Sequence, residues 1–253
     1  MASDGSAMDF RNVYDDAKRA ETYAKLEFPG TYYLAYRDLP QIIRSHVKGR
    51  RAADFGCGAG RSTRFLKQLG FEAMGVDVAE DMIRIARERD PGGDYRLIRD
   101  GDLGDLEAEA YDLVMSAFTF DSIAGMENKV RVFRGLHRLL ADEGCIVNVV
   151  SAPEIYLYEW ASFSTKDYPE NRQAKSGDRV RIIITATEDA RPVEDIVWSD
   201  EAYRETYKAA DLELAATFKP LASDAEPYPW VNETQIAPWV IYVLKKPGCA
   251  ARD

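Results

Sequence analysis

Histidine is scarce in this chain: its 253 residues include only His46 and His137, beside three cysteines, Cys57, Cys145 and Cys249. That inventory contains no CxxC pair, so neither a disulfide framework nor a multi-histidine metal centre is expected, and no metal ligand is predicted. Positive charge is also in deficit. Thirty-three Lys and Arg against 43 Asp and Glu leave a formal charge of −10, a field that repels phosphate backbones and anionic lipid and argues against nucleic acid as a partner. Long apolar runs are missing too. The stretch Ile236 to Leu244 is interrupted by Pro238 and falls far short of the roughly 18 residues of a membrane helix, so no membrane partner is expected. Residues 1–9 carry Asp4 and Asp9 without a basic or apolar region, which does not read as a signal peptide and predicts a cytoplasmic location.

What is present is 46% hydrophobic residues and 30% charged ones, enough to bury a substantial core. Between residues 51 and 150 short apolar runs alternate with amphipathic stretches, which predicts an α/β fold with a parallel sheet and crossover helices. Strands are expected at Arg51 to Phe55, Phe71 to Val76, Tyr95 to Arg99, Tyr111 to Phe118 and Cys145 to Val150. Helices are expected at Ser62 to Leu69, Ala79 to Arg89 and around the stripe Val130, Phe133, Leu136 and Leu140. After Val150 the alternation breaks: Glu154 to Phe163 reads as an aromatic helix-like stretch, and residues 179–198 as a β-hairpin inserted into the core pattern. Ser199 is placed to cap a helix from Asp200 to Ala210, followed by strands Leu212 to Phe218 and Trp239 to Lys245. The layout is thus 1–48, a core at 49–150, an insertion at 151–198 and a return to the core at 199–253.

The most informative segment is Asp54-Phe55-Gly56-Cys57-Gly58-Ala59-Gly60-Arg61, a strand end, a glycine turn and a helix start. Glycines there let a ligand lie against the main chain, and free amides at the helix start favour a negative group. The dinucleotide pattern GxGxxG needs a third glycine where Arg61 stands. Asp77, 21 residues after Gly56 at the next strand end, is placed to accept hydrogen bonds from ribose hydroxyls, and Asp100-Gly101-Asp102-Leu103 ends the third strand beside it. Such an acidic rim repels a pyrophosphate and suits a ligand carrying positive charge.

These motifs, with the strand order, resemble those of the class I S-adenosylmethionine-dependent methyltransferases, in their small-molecule branch, over roughly residues 50–150 and 200–246. The resemblance implies a doubly wound, mostly parallel seven-stranded sheet whose last strand, Trp239 to Lys245, runs antiparallel. It implies S-adenosyl-L-methionine as cofactor, with Asp54, Gly56, Cys57, Gly58 and Gly60 around its methionine portion and Asp77 on the ribose. Val78, Met82, Asp102 and Leu103 fall to the adenosine, and Ser116, Phe118 and Tyr23 to the methyl end. It further implies that the N-terminal segment 1–48, with Tyr14, Tyr23, Phe28, Tyr32 and Tyr33, and the insertion, with Tyr156, Tyr158, Trp160 and Phe163, form an aromatic lid over a small, aromatic or apolar acceptor. With no histidine in those segments, Asp121, Glu154 and Tyr158 are the candidate bases. Two other readings stay open: an NAD-dependent oxidoreductase, against which the missing glycine and the acidic rim speak, and a cofactor-binding module of the same fold without methyl transfer.

Overall fold

A computed structural model describes residues 21–22, 24–25, 29–99, 101–187, 189 and 191–248. Its frame is a seven-stranded sheet of order β3-β2-β1-β4-β5-β10-β9. The strands are β1 (Arg51–Phe55), β2 (Glu72–Asp77), β3 (Asp94–Leu97), β4 (Tyr111–Ala117), β5 (Leu140–Ser151), β9 (Glu213–Phe218) and β10 (Trp239–Lys245). The first five pair in parallel, whereas β10 runs antiparallel to both β5 and β9. The inner strands are buried on both sides, which is why they read as apolar runs rather than as alternating ones. Val114 faces one core cluster with Phe133, Tyr203 and Tyr207, and its neighbours Leu113 and Met115 face the other with Leu39, Ile42 and Leu66.

Helices α1 (Thr31–Arg37), α2 (Leu39–His46) and α3 (Arg61–Gln68) lie toward the second cluster, while α5 (Met126–Leu139) and α6 (Asp200–Ala209) cover the first. Helix α4 (Glu80–Arg89) contacts β2 and β3. The serine cap of α6 is present: Ser199 accepts from the Ala202 amide at 3.1 Å, satisfying one of the free donors of the first turn.

The insertion departs from the reading of residues 154–163. Only Pro153–Tyr156 makes a 3-10 turn. The chain then reverses, with Trp160 N donating to Phe163 O at 3.0 Å and the Trp160 indole donating to Ile155 O at 2.8 Å. Aromatic spacing that resembled a helix face is packing against the sheet instead: Trp160 and Phe163 are buried in the cluster that holds Trp239. The hairpin is present as β7 (Arg179–Ile184) and β8 (Val193–Ile196), and β6 (Phe163–Ser164) adds a third antiparallel strand. Strand β5 begins at Leu140, five residues before the expected Cys145, across an irregular register with β4.

Candidate functional site

At the carboxyl ends of β1, β2 and β4 a cavity of about 270 Å³ opens, and it extends under β7 and β8. The fold puts it where open α/β sheets bind ligands, next to the point at which strand order reverses between β1 and β4.

One end is built by the glycine turn. Gly56, Gly58 and Gly60 all have positive φ, +71°, +52° and +80°, which a branched residue adopts only with strain. Their surroundings differ. A Cβ on Gly56 would fall 2.0 Å from the Thr119 hydroxyl and one on Gly60 2.7 Å from the Tyr95 hydroxyl, whereas on Gly58 the nearest atom is Met82 Sδ at 4.0 Å. Gly58 therefore presents bare main chain to open space in the cavity. Asp77 holds the turn: its carboxylate accepts from Gly58 N at 2.8 Å and from Ala79 N at 2.9 Å. Burial pushes its pKa up, against the pull of those amides. Val78, Met82, Ile98 and Gly101 continue the wall.

Other residues of the expected cofactor set stand behind this surface. Asp54 is fully buried, and its Oδ2 accepts from Ser62 and Thr63 hydroxyls, both at 2.6 Å, so it anchors the start of α3 and does not line the cavity. Burial raises its pKa to about 6. The Cys57 side chain packs with Ile83, Ala86 and Tyr95. Gly60 caps α3 in the left-handed conformation. Asp102 is exposed and accepts from Gly104 N at 2.8 Å, while the Leu103 side chain is buried in the core; the neighbouring Gly101 reaches the cavity instead. Ser116 is fully buried within β4 and also lies off the lining. Tyr23, like Tyr14, Phe28 and Asp100, lies outside the described residues.

The other end joins an aromatic wall to an acidic floor. Phe118 has φ +66°, unusual for a non-glycine residue, directly after β4. Its ring lies 4.7 Å from that of Trp239 and 5.6 Å from that of Tyr32, and Phe163 lies 5.0 Å from Tyr32. All four residues line the cavity. The turn Thr119–Asp121 then brings Asp121, 3% exposed, onto the last residue of β5: it accepts from Ser151 N at 3.1 Å and from Ser151 Oγ at 2.8 Å. Across from it, Tyr156 donates to Asp195 Oδ2 at 3.1 Å. Burial, then the charge of Asp195, raises the pKa of Asp121. Behind this floor Lys129, 0% exposed, donates to the Phe120 carbonyl and lies 5.0 Å from the Trp198 ring; burial lowers its pKa.

Of the expected bases, Asp121 lines the cavity; Glu154 and Tyr158 do not, and Tyr158 is 42% exposed. Sequence reasoning missed Asp195, Ser151 and Lys129 as members of this site. Asp195 had a signal: it shares the inward face of an alternating strand with Val193, where an acid is out of place. Lys129 had one as well: it stands four residues before Phe133 and seven before Leu136, on the apolar stripe of α5. Among the described residues no cluster of potential metal ligands occurs and no helix is long and apolar enough to cross a membrane.

Residues 53–148 match the model of a methyltransferase domain. A ubiquinone biosynthesis O-methyltransferase of Methylococcus capsulatus is 38% identical over 80 residues, 29% of this chain and 34% of that protein. A trans-aconitate 2-methyltransferase of Afipia carboxidovorans is 42% identical over 79 residues, 30% of this chain and 29% of that protein. These matches span about a third of the curated relatives' own length. Among solved structures, an S-adenosylmethionine-dependent methyltransferase from Clostridium acetobutylicum superposes with a TM-score of 0.62 at 13% identity, over 94% of this chain and all of that one; at that identity the likeness concerns the fold.

Proposed function

We propose that this chain, whose residues 53–148 match a methyltransferase domain, is a class I S-adenosylmethionine-dependent enzyme that binds S-adenosylmethionine at the glycine turn and moves its methyl group to a small acceptor. The observation that carries this reading is the open space over Gly58 beside the Asp77 carboxylate, in one cavity with an enclosed aromatic and acidic end. The residues present fit the cofactor. Asp77 would take the ribose hydroxyls on its remaining acceptor capacity, the Gly56 to Gly58 main chain would lie along the methionine portion, and Val78, Met82 and Ile98 would bed the flat ring, closed at its edge by Gly101. When bound, S-adenosylmethionine supplies an activated methyl on a sulfonium leaving group.

The chain's own part is alignment, water exclusion and proton removal. Tyr32, Phe118, Phe163 and Trp239 give rigid faces that orient a flat or apolar body and attract positive charge. Asp121, oriented by Ser151, and Asp195, oriented by Tyr156, are within the cavity as proton acceptors. Helix α1 and the insertion bring the aromatic wall and the hairpin over this end, which supports a lid built from the segments 1–48 and 151–198. A cytoplasmic enzyme without nucleic-acid or membrane partners agrees with the net charge of −10.

Titration calorimetry with S-adenosylhomocysteine and NAD tests the cofactor, and mass spectrometry of S-adenosylhomocysteine formed with candidate acceptors tests transfer. Binding of S-adenosylhomocysteine with no heat from NAD is expected. Tighter binding of NAD would overturn the reading.

A further inference from the structure

Three of the four rings of the aromatic wall are seated on one buried polar cluster. Its centre is Glu233, 0% exposed in the loop between β9 and β10. Glu233 Oε1 accepts from the Thr31 hydroxyl and from Ala161 N, both at 2.7 Å. Its Oε2 accepts from Val231 N at 2.8 Å and from Asn232 N at 3.1 Å. Thr31 and Ser162 form a reciprocal pair beside it: Thr31 N donates to Ser162 Oγ at 3.1 Å, and Ser162 N donates to Thr31 Oγ1 at 3.0 Å. The Trp239 indole donates to the Thr31 carbonyl at 2.7 Å, and Thr185 N, just past β7, donates to Ser162 O at 2.9 Å. Gly30 permits this approach, because at its φ of +50° a Cβ would fall 2.4 Å from Ser162 Oγ.

Each bond of the cluster lies next to a ring of the chamber. Thr31 precedes Tyr32, Ser162 precedes Phe163, and Trp239 belongs to the wall itself. The three rings also meet one another: Tyr32 lies 5.0 Å from Phe163 and 5.7 Å from Trp239, and Phe163 lies 5.7 Å from Trp239. Segments far apart in the chain, at residues 31, 161–162 and 231–232, thus converge on the two oxygens of one side chain. A buried carboxylate met by several donors makes strong, charge-assisted bonds, and a buried polar network specifies one arrangement when its members are satisfied and is costly when one is not. Resting on the methyl-transfer reading, we infer that Glu233 is a positioning residue for the acceptor: through Thr31 and Ser162 it sets Tyr32, Phe163 and Trp239 as one preformed face against which a flat apolar body is aligned for transfer. A face set in advance spares the acceptor the cost of ordering it, and alignment is the chain's main contribution to a displacement at an activated methyl.

The test uses the full chain labelled with fluorotryptophan and saturated with S-adenosylhomocysteine, and three flat probes: 2-naphthol, 2-naphthamide and quinoline. Glu233→Gln keeps the shape of the side chain but sets its NH₂ against at least one main-chain N–H whichever way the amide turns. In the folded variant the Trp239 fluorine resonance should shift or split, while that of Trp198, which packs in the other core cluster, should stay. The probes should bind at least fivefold more weakly, with S-adenosylhomocysteine affinity within twofold. Thr31→Val should act in the same way, and Thr31→Ser, which keeps the hydroxyl, should bind the probes within twofold of the wild type. An unmoved Trp239 resonance, unchanged probe affinity in Glu233→Gln, equal losses in Thr31→Val and Thr31→Ser, an equal loss of probe and S-adenosylhomocysteine affinity, or no probe bound by the wild type overturns the role of Glu233 alone. Failure of the wild-type chain to bind S-adenosylhomocysteine overturns the methyl-transfer reading and this inference with it. If no variant folds, hydrogen exchange in the wild type decides. The Trp239 indole N–H should exchange at least a hundredfold more slowly than that of Trp230, which donates to the exposed Ser223 carbonyl; equal rates overturn the inference.

Discussion

Replacing Asp77 by alanine separates the two tasks of this side chain, holding the glycine turn and holding a ligand. In the fold its carboxylate accepts from Gly58 N at 2.8 Å and from Ala79 N at 2.9 Å. Losing both leaves two amides without that partner. Each unsatisfied buried donor costs about 1–3 kcal/mol, but these two face a cavity that water enters, and removing a carboxylate whose pKa is raised by burial recovers part of its desolvation cost. The net loss of stability is therefore at the low end, about 1–2 kcal/mol, or about 2–8 °C in Tm for a chain of this size. Ligand affinity suffers more directly. Loss of the ribose hydrogen bonds should weaken S-adenosylhomocysteine by about 1–3 kcal/mol, that is about 5- to 150-fold. Asp77→Asn should fall between, since its amide keeps one acceptor oxygen and turns NH₂ toward the other donor. Calorimetry at a temperature well below the variants' Tm reads the affinity, and thermal denaturation the stability. An alanine variant that is folded and binds within twofold of the wild type would refute the assignment of Asp77.

Gly58→Val should lower S-adenosylhomocysteine affinity more than tenfold while costing about 1–2 kcal/mol of stability for its positive φ, because its side chain fills open cavity; Gly60→Ala, whose Cβ meets Tyr95, should show mainly loss of stability in denaturant unfolding. Phe133→Ala removes a ring stacked 3.9 Å from Phe120 at 4° and should cost about 3–5 kcal/mol, read as a lower urea midpoint. For Asp54 the pKa rises on folding from 3.8 to about 6, so its contribution favours the fold fully below pH 3.8 and is lost as pH rises through about 6. Asp54→Asn should accordingly flatten the stability profile between pH 4 and 6 relative to the wild type, by an amount on the order of 3 kcal/mol; parallel profiles would contradict the burial argument.

The core of the fold was legible because its signals are local and redundant. Strands β1 and β10 have the bounds read from their apolar runs, Ser199 caps its helix, and the glycine turn follows a strand and opens a helix, as its spacing implies. The insertion was legible only in part. Its hairpin alternates with period two, but Tyr156, Trp160 and Phe163 are spaced by packing against α1 and β10, a tertiary demand that mimicked a helix face. The site divides in the same way. Gly58 and Asp77 are announced by motif spacing, whereas Asp54 carries the motif's acid yet serves the first turn of α3 through Ser62 and Thr63. Asp195 was signalled only as an acid in step with Val193, its place in the cavity being set by where the hairpin packs, and Lys129, on the apolar stripe of α5, lies inside against the rings of Trp198 and Tyr203.

In the reading proposed above, the glycine turn, Asp77 and the acidic aromatic chamber form one site for S-adenosylmethionine and its acceptor. A crystal structure of the full chain with S-adenosylhomocysteine tests it most directly. Electron density is expected for the ribose against Asp77, for the adenine against Val78 and Ile98, and for a thioether sulfur directed toward Phe118 and the chamber bounded by Asp121 and Asp195. Density for the ligand outside that cavity, or in it with the sulfur turned away from Phe118, would contradict it.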